Sequence, residues 1–181
     1  MYEVELKVRA DHPTVRERLD ELGADHVESR RQVDTYYNAP HRVFAETDEA
    51  LRIRREEPAD GAAVTKLTYK GPLVERESKT REEHETVVAD DDALAGILDG
   101  LGFEPAATVE KDRVFYALEG YTITLDSVAG LGEFIEIEQE ADESELEAVR
   151  EGAVGLLSKV GLEADEQIRT SYLGLLLAVE G

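Results

Sequence analysis

Residues 2–9 read YEVELKVR. Glu3, Glu5, Lys7 and Arg9 share one parity and Val4, Leu6 and Val8 the other, the period-two signature of a strand with one apolar face. The simplest reading turns the apolar face to a core and the charged face to water. The alternative turns the charged face into a lumen and the apolar face outward, beneath helices. The choice between them decides the fold, and the rest of the chain bears on it.

The same alternation recurs along the sequence. Residues 26–38 are extended and end in DTYYN, before Pro40. Residues 50–56 set Leu51 and Ile53 against Arg52 and Arg54. Residues 63–70 run back after a turn at Pro58 and Gly61 and stop at Gly71 and Pro72. Further extended segments are expected at 79–88, 108–118, 121–127 and 133–140, the last two separated by a turn containing Gly130 and Gly132. Helices are predicted over 11–22, 90–101, 142–160 and 167–179. The first has Asp11 as N-cap, Pro13 in its opening turn and Gly23 as its stop. The second carries three aspartates at its positive end. About eight strands joined mainly by hairpin-length turns, with helices inserted, predict an antiparallel sheet that curls or closes.

The polar faces agree with one another. They carry Glu3, Glu5 and Lys7; Arg52 and Arg54; Lys66 and Lys70; Arg81, Glu83 and Glu85; Lys111 and Arg113; Asp126; and Glu136 and Glu138, each set on one parity of its strand. Composition sharpens the point. The net charge is −22, and of 20 basic residues only six are lysines. An acidic, lysine-poor exterior is expected of a halophilic protein, since salt screens its self-repulsion. Five of the six lysines, Lys7, Lys66, Lys70, Lys79 and Lys111, nevertheless fall in expected strands. A polar lumen accounts for their retention. Eight strands enclose room for side chains or one small ligand, and buried charges must be paired or ligand-bound.

Residue type then indicates chemistry. Two glutamates at i and i+2 project to one side of a strand, about 7 Å apart. Glu3 and Glu5 facing Glu136 and Glu138 would form an all-oxygen cluster suited to Mg²⁺ or Mn²⁺. Arginine forks and lysine point charges suit phosphate oxygens and the charge that develops on a leaving phosphate. An anion is the natural occupant.

Other constellations are excluded or weak. There is no cysteine, and hence no disulfide, thiolate zinc site or cysteine nucleophile. His12, His26, His41 and His84 have no metal spacing, and His84, of opposite parity to Glu83 and Glu85, reads as a surface or packing residue. No phosphate-binding glycine loop or nucleophile elbow occurs. The apolar run around Tyr172 reads as helix core. No apolar stretch approaches the length of a membrane span, and the charged opening strand leaves no signal peptide, so a cytoplasmic location is expected. The acidic charge argues against nucleic acid and membranes as partners.

These residues resemble the CYTH superfamily, the triphosphate tunnel metalloenzymes, which include class IV adenylate cyclases and thiamine triphosphatases. The family's opening E-x-E-x-K stands here as Glu3, Glu5 and Lys7. The likeness continues through DTYYNAPHRVFAETDEALRIR at 34–54, TKLTYKGP at 65–72, TREEHE at 80–85, VEKDRVFY at 109–116, TITLDSVAGLGEFIEIE at 122–138 and SYLGLL at 171–176. It spans residues 1–181 as one domain, and the 34–54 stretch looks most like the class IV cyclase branch. The resemblance implies an α+β fold: an eight-stranded closed antiparallel β-barrel with a charged interior and surrounding helices.

It also implies metal ligands at Glu3, Glu5, Glu136 and Glu138, with Glu85 and Asp126 as further acids. Phosphate-binding bases would be Lys7, Arg52, Arg54, Lys66, Lys70, Arg81, Lys111 and Arg113, of which Lys7, Lys70 and Arg113 would serve catalysis. Arg169 would cap the tunnel. The implied substrate is ATP, tripolyphosphate or thiamine triphosphate, and a homodimer is consistent with the family. Three activities are expected to compete: adenylate cyclase, triphosphatase, and a binding module without turnover.

Overall fold

The computed structural model describes residues 1–74 and 77–180. Eight strands lie within these residues: β1 (Tyr2–Arg9), β2 (Asp25–Asn38), β3 (Ala50–Pro58), β4 (Val64–Lys70), β5 (Arg81–Val88), β6 (Glu104–Leu118), β7 (Tyr121–Val128) and β8 (Gly132–Ala141). Four α-helices accompany them: α1 (His12–Glu21), α2 (Asp91–Gly100), α3 (Leu146–Lys159) and α4 (Tyr172–Glu180). All strand pairings are antiparallel, and the sheet closes in the order β1-β5-β4-β3-β2-β6-β7-β8.

The orientation question resolves in favour of the lumen. Leu6 and Val8 of β1, Ile123 and Leu125 of β7, and Ile135 and Ile137 of β8 turn outward. They pack with Val15 and Leu19 of α1 and Ala153, Leu156 and Leu157 of α3. On the far side Ile53 of β3 packs with Leu98 of α2. The apolar core is thus a set of layers between barrel and helices. Charged residues of the other parity, Lys7, Arg52, Arg54, Lys111, Arg113, Asp126 and Glu136 among them, are buried inside the barrel. Alternation along each strand makes the two outcomes inseparable: once helices cover the apolar face, the charged face must enclose the axis.

Local chemistry explains the elements. The Asp11 side chain accepts from the Thr14 amide to open α1, and Asp90 does the same from Ala93 to open α2. Helix α3 seats on β7 through Gly152, where a Cβ would collide with Tyr121 Oη. The hydroxyl there donates to the Val149 carbonyl at 2.8 Å.

Several expected boundaries shift. β6 begins at Glu104 rather than 108, and α3 begins at Leu146 after a 3-10 turn at Glu143–Glu145. α4 begins at Tyr172 rather than 167, because residues 164–166 form a separate 3-10 turn. Lys79 was expected in a strand but lies just before β5, where its amide donates to the Glu5 carbonyl at 3.2 Å. That contact extends the β1–β5 seam, which has only two paired positions, Tyr2 with Glu82 and Glu3 with Arg81.

Candidate functional site

The lumen is a cavity of about 700 Å³. The inward residues of the strands line it, together with the β2–β3 connection (Phe44, Ala45, Asp48 and Glu49) and the segment from Arg169 to Gly174 that leads into α4. Near α4 apolar side chains of the inward parity, Val109, Val128 and Phe134, pack with Tyr172. Arg169, expected to cap the tunnel, is among the residues of this lining. The apolar run at 172–177, read from sequence as helix core, packs as such through Tyr172, Leu173, Leu175 and Leu176, and Tyr172 also borders the lumen.

Three of the expected acids converge. Carboxylate oxygens of Glu3, Glu5 and Glu138 lie within 4.8 Å of one another. Strand pairing causes this: Glu5 stands opposite Glu138 across β1 and β8, and Glu3 is one inward position along. Burial pushes Glu138 up to about 7, with Glu5 and Glu136 adding to it against Arg113. Burial likewise raises Glu3, with Glu138, Glu83 and Glu5 adding to it against Lys70. Three crowded carboxylates, of which Glu3 and Glu138 resist ionisation, are a donor set lacking its counter-charge. An all-oxygen donor set of this kind fits Mg²⁺ or Mn²⁺, whose charge would offset the crowding of the carboxylates.

The other acids expected as metal ligands are otherwise engaged. Both Asp126 oxygens accept from Arg113, at 2.6 and 2.7 Å, and Tyr172 Oη adds a third bond of 2.7 Å. Glu136 accepts from Arg113 at 2.9 Å and is held well below the usual carboxylate range, Arg113, Lys111 and Lys7 outweighing burial. Glu85 accepts from Thr68 at 2.8 Å and faces Lys66 at 3.7 Å. These three stand outside the convergent group among the described residues, each engaged with a lumenal base. In a lumen this dense the guanidinium claims a carboxylate first, because a bidentate fork satisfies both partners.

The expected bases divide in the same way. Arg54 is gripped by both oxygens of Asp34, at 2.7 and 2.8 Å. Arg113 is held as above. Lys66 lies 2.6 Å from Glu56, a carboxylate that also accepts from Arg30 and Gln32 and is held down at about 2 against the opposing effect of burial. Arg81 is held by Asp48 at 2.8 Å. Lys70 sits between Glu83 at 3.2 Å and Glu3 at 3.6 Å, and those carboxylates outweigh burial and hold its proton more tightly than usual.

Three bases are loosely neutralised. Arg52 reaches Asp34 only at 3.8 Å and Glu83 at 3.9 Å. Lys111 reaches Asp34 only at 3.9 Å. Lys7, 3% exposed, has no carboxylate within 4.0 Å among the described residues and rests over the Tyr172 ring. Burial, then Arg113 and Arg54, lower Lys111 to about 7.

Sequence reasoning left the roles of Asp34, Glu56, Glu83 and Tyr172 unassigned. Asp34 is fully buried and organises Arg52, Arg54 and Lys111. Its parity with Gln32 and Tyr36 was a usable signal. Tyr172 gave none, since a helix residue reaching into a barrel end has no period. His84, as expected, is exposed, stacked against Tyr69.

A closed antiparallel barrel with carboxylates and bases sharing one lumen defines the class of triphosphate tunnel folds. The chain belongs to the CYTH domain family, whose model matches residues 1–172. A proposed adenylate cyclase of Methanocaldococcus jannaschii is 40% identical to it, over 97% of this chain and 98% of that one. The structure of the PH1819 protein of Pyrococcus horikoshii superposes with a TM-score of 0.90 at 41% identity, covering 98% of this chain and 99% of that one. A Hippeastrum protein described as a candidate adenylyl cyclase with dominant triphosphatase activity shares the fold at 20% identity, with a TM-score of 0.68 and coverage of 98% and 95%. No helix among the described residues is long and apolar enough to cross a membrane.

Proposed function

We propose that this chain is a divalent-metal-dependent enzyme acting on a triphosphate, and that its reaction is the class IV cyclase reaction, ATP to cyclic AMP and pyrophosphate. One observation carries the reading. A three-carboxylate group, Glu3, Glu5 and Glu138, shares a buried lumen with bases that have no tight carboxylate partner among the described residues, Lys7, Lys111 and Arg52. Surplus acid at one place and surplus base at another is costly in an empty lumen. A metal and a polyphosphate together remove both surpluses. The M. jannaschii relative supports the choice of cyclase.

In this reading Glu3, Glu5 and Glu138 hold Mg²⁺ or Mn²⁺, which supplies Lewis-acid neutralisation of phosphate oxygens when bound. Lys7, Lys111 and Arg52 hold the triphosphate in line, and Lys70 and Arg113 contribute positive potential as charge moves to the departing phosphates. The ribose 3′-hydroxyl passes its proton to solvent water and bonds to the α-phosphorus. The bond from that phosphorus to the α,β-bridging oxygen breaks, and pyrophosphate leaves with the electron pair. Asp34, Asp126 and Glu136 act on the arginines, keeping them extended into the lumen.

The Hippeastrum neighbour favours a second reading, hydrolysis with water as the nucleophile, because the same tunnel groups serve both reactions. A product assay separates them, using ATP, tripolyphosphate and thiamine triphosphate with Mg²⁺ or Mn²⁺ at molar salt. Cyclic AMP with pyrophosphate supports the cyclase, and orthophosphate from tripolyphosphate supports the triphosphatase. Tight binding without product under either metal would leave a binding module.

A further inference from the structure

The β2–β3 connection folds over the lumen and is tied there from two directions. Glu49 accepts from Tyr69 Oη at 3.0 Å and pairs with Arg42 at 3.1 Å. Its neighbour Asp48 reaches the other way. Asp48 Oδ2 lies 2.9 Å from Lys79 Nζ and 2.8 Å from Arg81 Nη2, and the Asp48 carbonyl accepts from Arg81 Nη1. Lys79 and Arg81 are buried and line the cavity.

A carboxylate oxygen between an ammonium and a guanidinium has the surroundings of a bound phosphate oxygen, at the same charge-assisted distances. Two other acids that grip lumenal arginines, Asp34 and Asp126, are fully buried and hold with both oxygens. Neither has water into which it could withdraw. Asp48 differs on both counts. Its side chain is 42% exposed, and a single oxygen makes both side-chain contacts. Its backbone is also left-handed, at φ 57°, a conformation that costs an L-residue free energy and is relieved if the loop lets go.

We infer that Lys79 and Arg81 form a further phosphate subsite of the tunnel, with Asp48 as its resident anion. An incoming phosphate oxygen takes the place of the Asp48 carboxylate on both cations, and the β2–β3 connection is released from the mouth. The subsite rests on the triphosphate reading, since it requires a polyanion in the lumen. It adds Lys79 to the binding groups and makes loop opening a consequence of substrate arrival.

The test is calorimetric titration of tripolyphosphate with Mn²⁺ into the wild type, Asp48→Asn, Lys79→Met and the double variant. Asparagine keeps the shape, tolerates the left-handed backbone and removes the competing charge. Asp48→Asn should bind about tenfold tighter, the scale of one charge-assisted contact, and the gain should shrink in the Lys79→Met background, where only Arg81 is freed. In the wild type, amides 43–49 should exchange hydrogen faster once tripolyphosphate binds, a measurement independent of whether any variant folds. Unchanged or weakened binding by folded Asp48→Asn, or slower exchange of those amides, overturns the subsite and leaves the triphosphate reading standing. A wild type that binds no tripolyphosphate overturns both.

Discussion

Lys7 Nζ lies 4.3 Å from the centre of the Tyr172 ring, and Lys111 Nζ lies 5.0 Å from the same centre. One aromatic ring thus stands against two lysine side chains of the lumen. The ring's quadrupole favours each cation by about 0.5–2 kcal/mol, which is too little to replace a counter-ion for two of them. The pair is arranged for an anion that enters the lumen.

Lys7→Met should therefore weaken tripolyphosphate binding by tenfold or more while leaving the melting temperature of the ligand-free protein unchanged or raised. A charge-assisted contact is worth about 1.5–3 kcal/mol, and no carboxylate is orphaned by the substitution. A melting temperature lowered by many degrees would mean that Lys7 neutralises something in the empty protein.

Asp34→Ala should behave in the opposite way. It leaves Arg54 without its fork and Arg52 and Lys111 without their shared neighbour. The expected loss is about 3–5 kcal/mol, the scale for breaking a buried pair from one side. Chemical denaturation measures it, and a loss below about 1 kcal/mol would show that water or rearrangement replaces the carboxylate.

The lowered Lys111, at about 7, sets a pH dependence. An anion favours the protonated amine, so binding raises its pKa. Below pH 7 the amine is already charged and this group adds no slope. Above pH 7 the protein must take up a proton to bind, and affinity should fall as pH rises, by at most tenfold per unit. Calorimetry at pH 8 in buffers of different ionisation enthalpy should register proton uptake on tripolyphosphate binding. Zero uptake in the wild type, or an unaltered uptake in Lys111→Met, removes Lys111 from this role.

Glu138→Gln should weaken Mn²⁺ binding strongly, whereas Asp126→Asn should leave it within a few-fold of the wild type. The first belongs to the convergent carboxylates and the second serves Arg113 and Tyr172. Electron paramagnetic resonance of free Mn²⁺ reports both. Equal losses would return Asp126 to the metal site.

Gly152→Ala should lower stability although alanine is the better helix former. The added methyl meets Tyr121 Oη, whose bond to the Val149 carbonyl fixes α3 on β7. Gly152→Ala combined with Tyr121→Phe should recover part of the loss, and failure of both to move the melting point would show that α3 shifts freely.

Much of this architecture was readable from residue order. Period-two alternation located each strand, and the shared parity of Glu3, Glu5, Lys7, Arg52, Arg54, Lys111, Arg113 and Glu136 identified the lumenal face. Parity assigns a residue to a face and says nothing about its partner across the lumen. That is why Asp126 and Glu136, correct in face, proved to be partners of Arg113 rather than members of the carboxylate group. It is also why Lys79 was misplaced: a buried lysine outside a strand has no alternation to report it.

The sequence by itself determined the strands, the inward side of each, and an excess of both charge signs along one axis, because strand geometry converts residue spacing directly into facing. Tertiary structure alone decided which acid met which base. Closure in the order β1-β5-β4-β3-β2-β6-β7-β8 brings residues distant in sequence, such as Glu5 and Glu138 or Lys7 and Tyr172, to within contact of each other. Pairing energies at those distances change steeply with each ångström, and no local pattern in the chain encodes them.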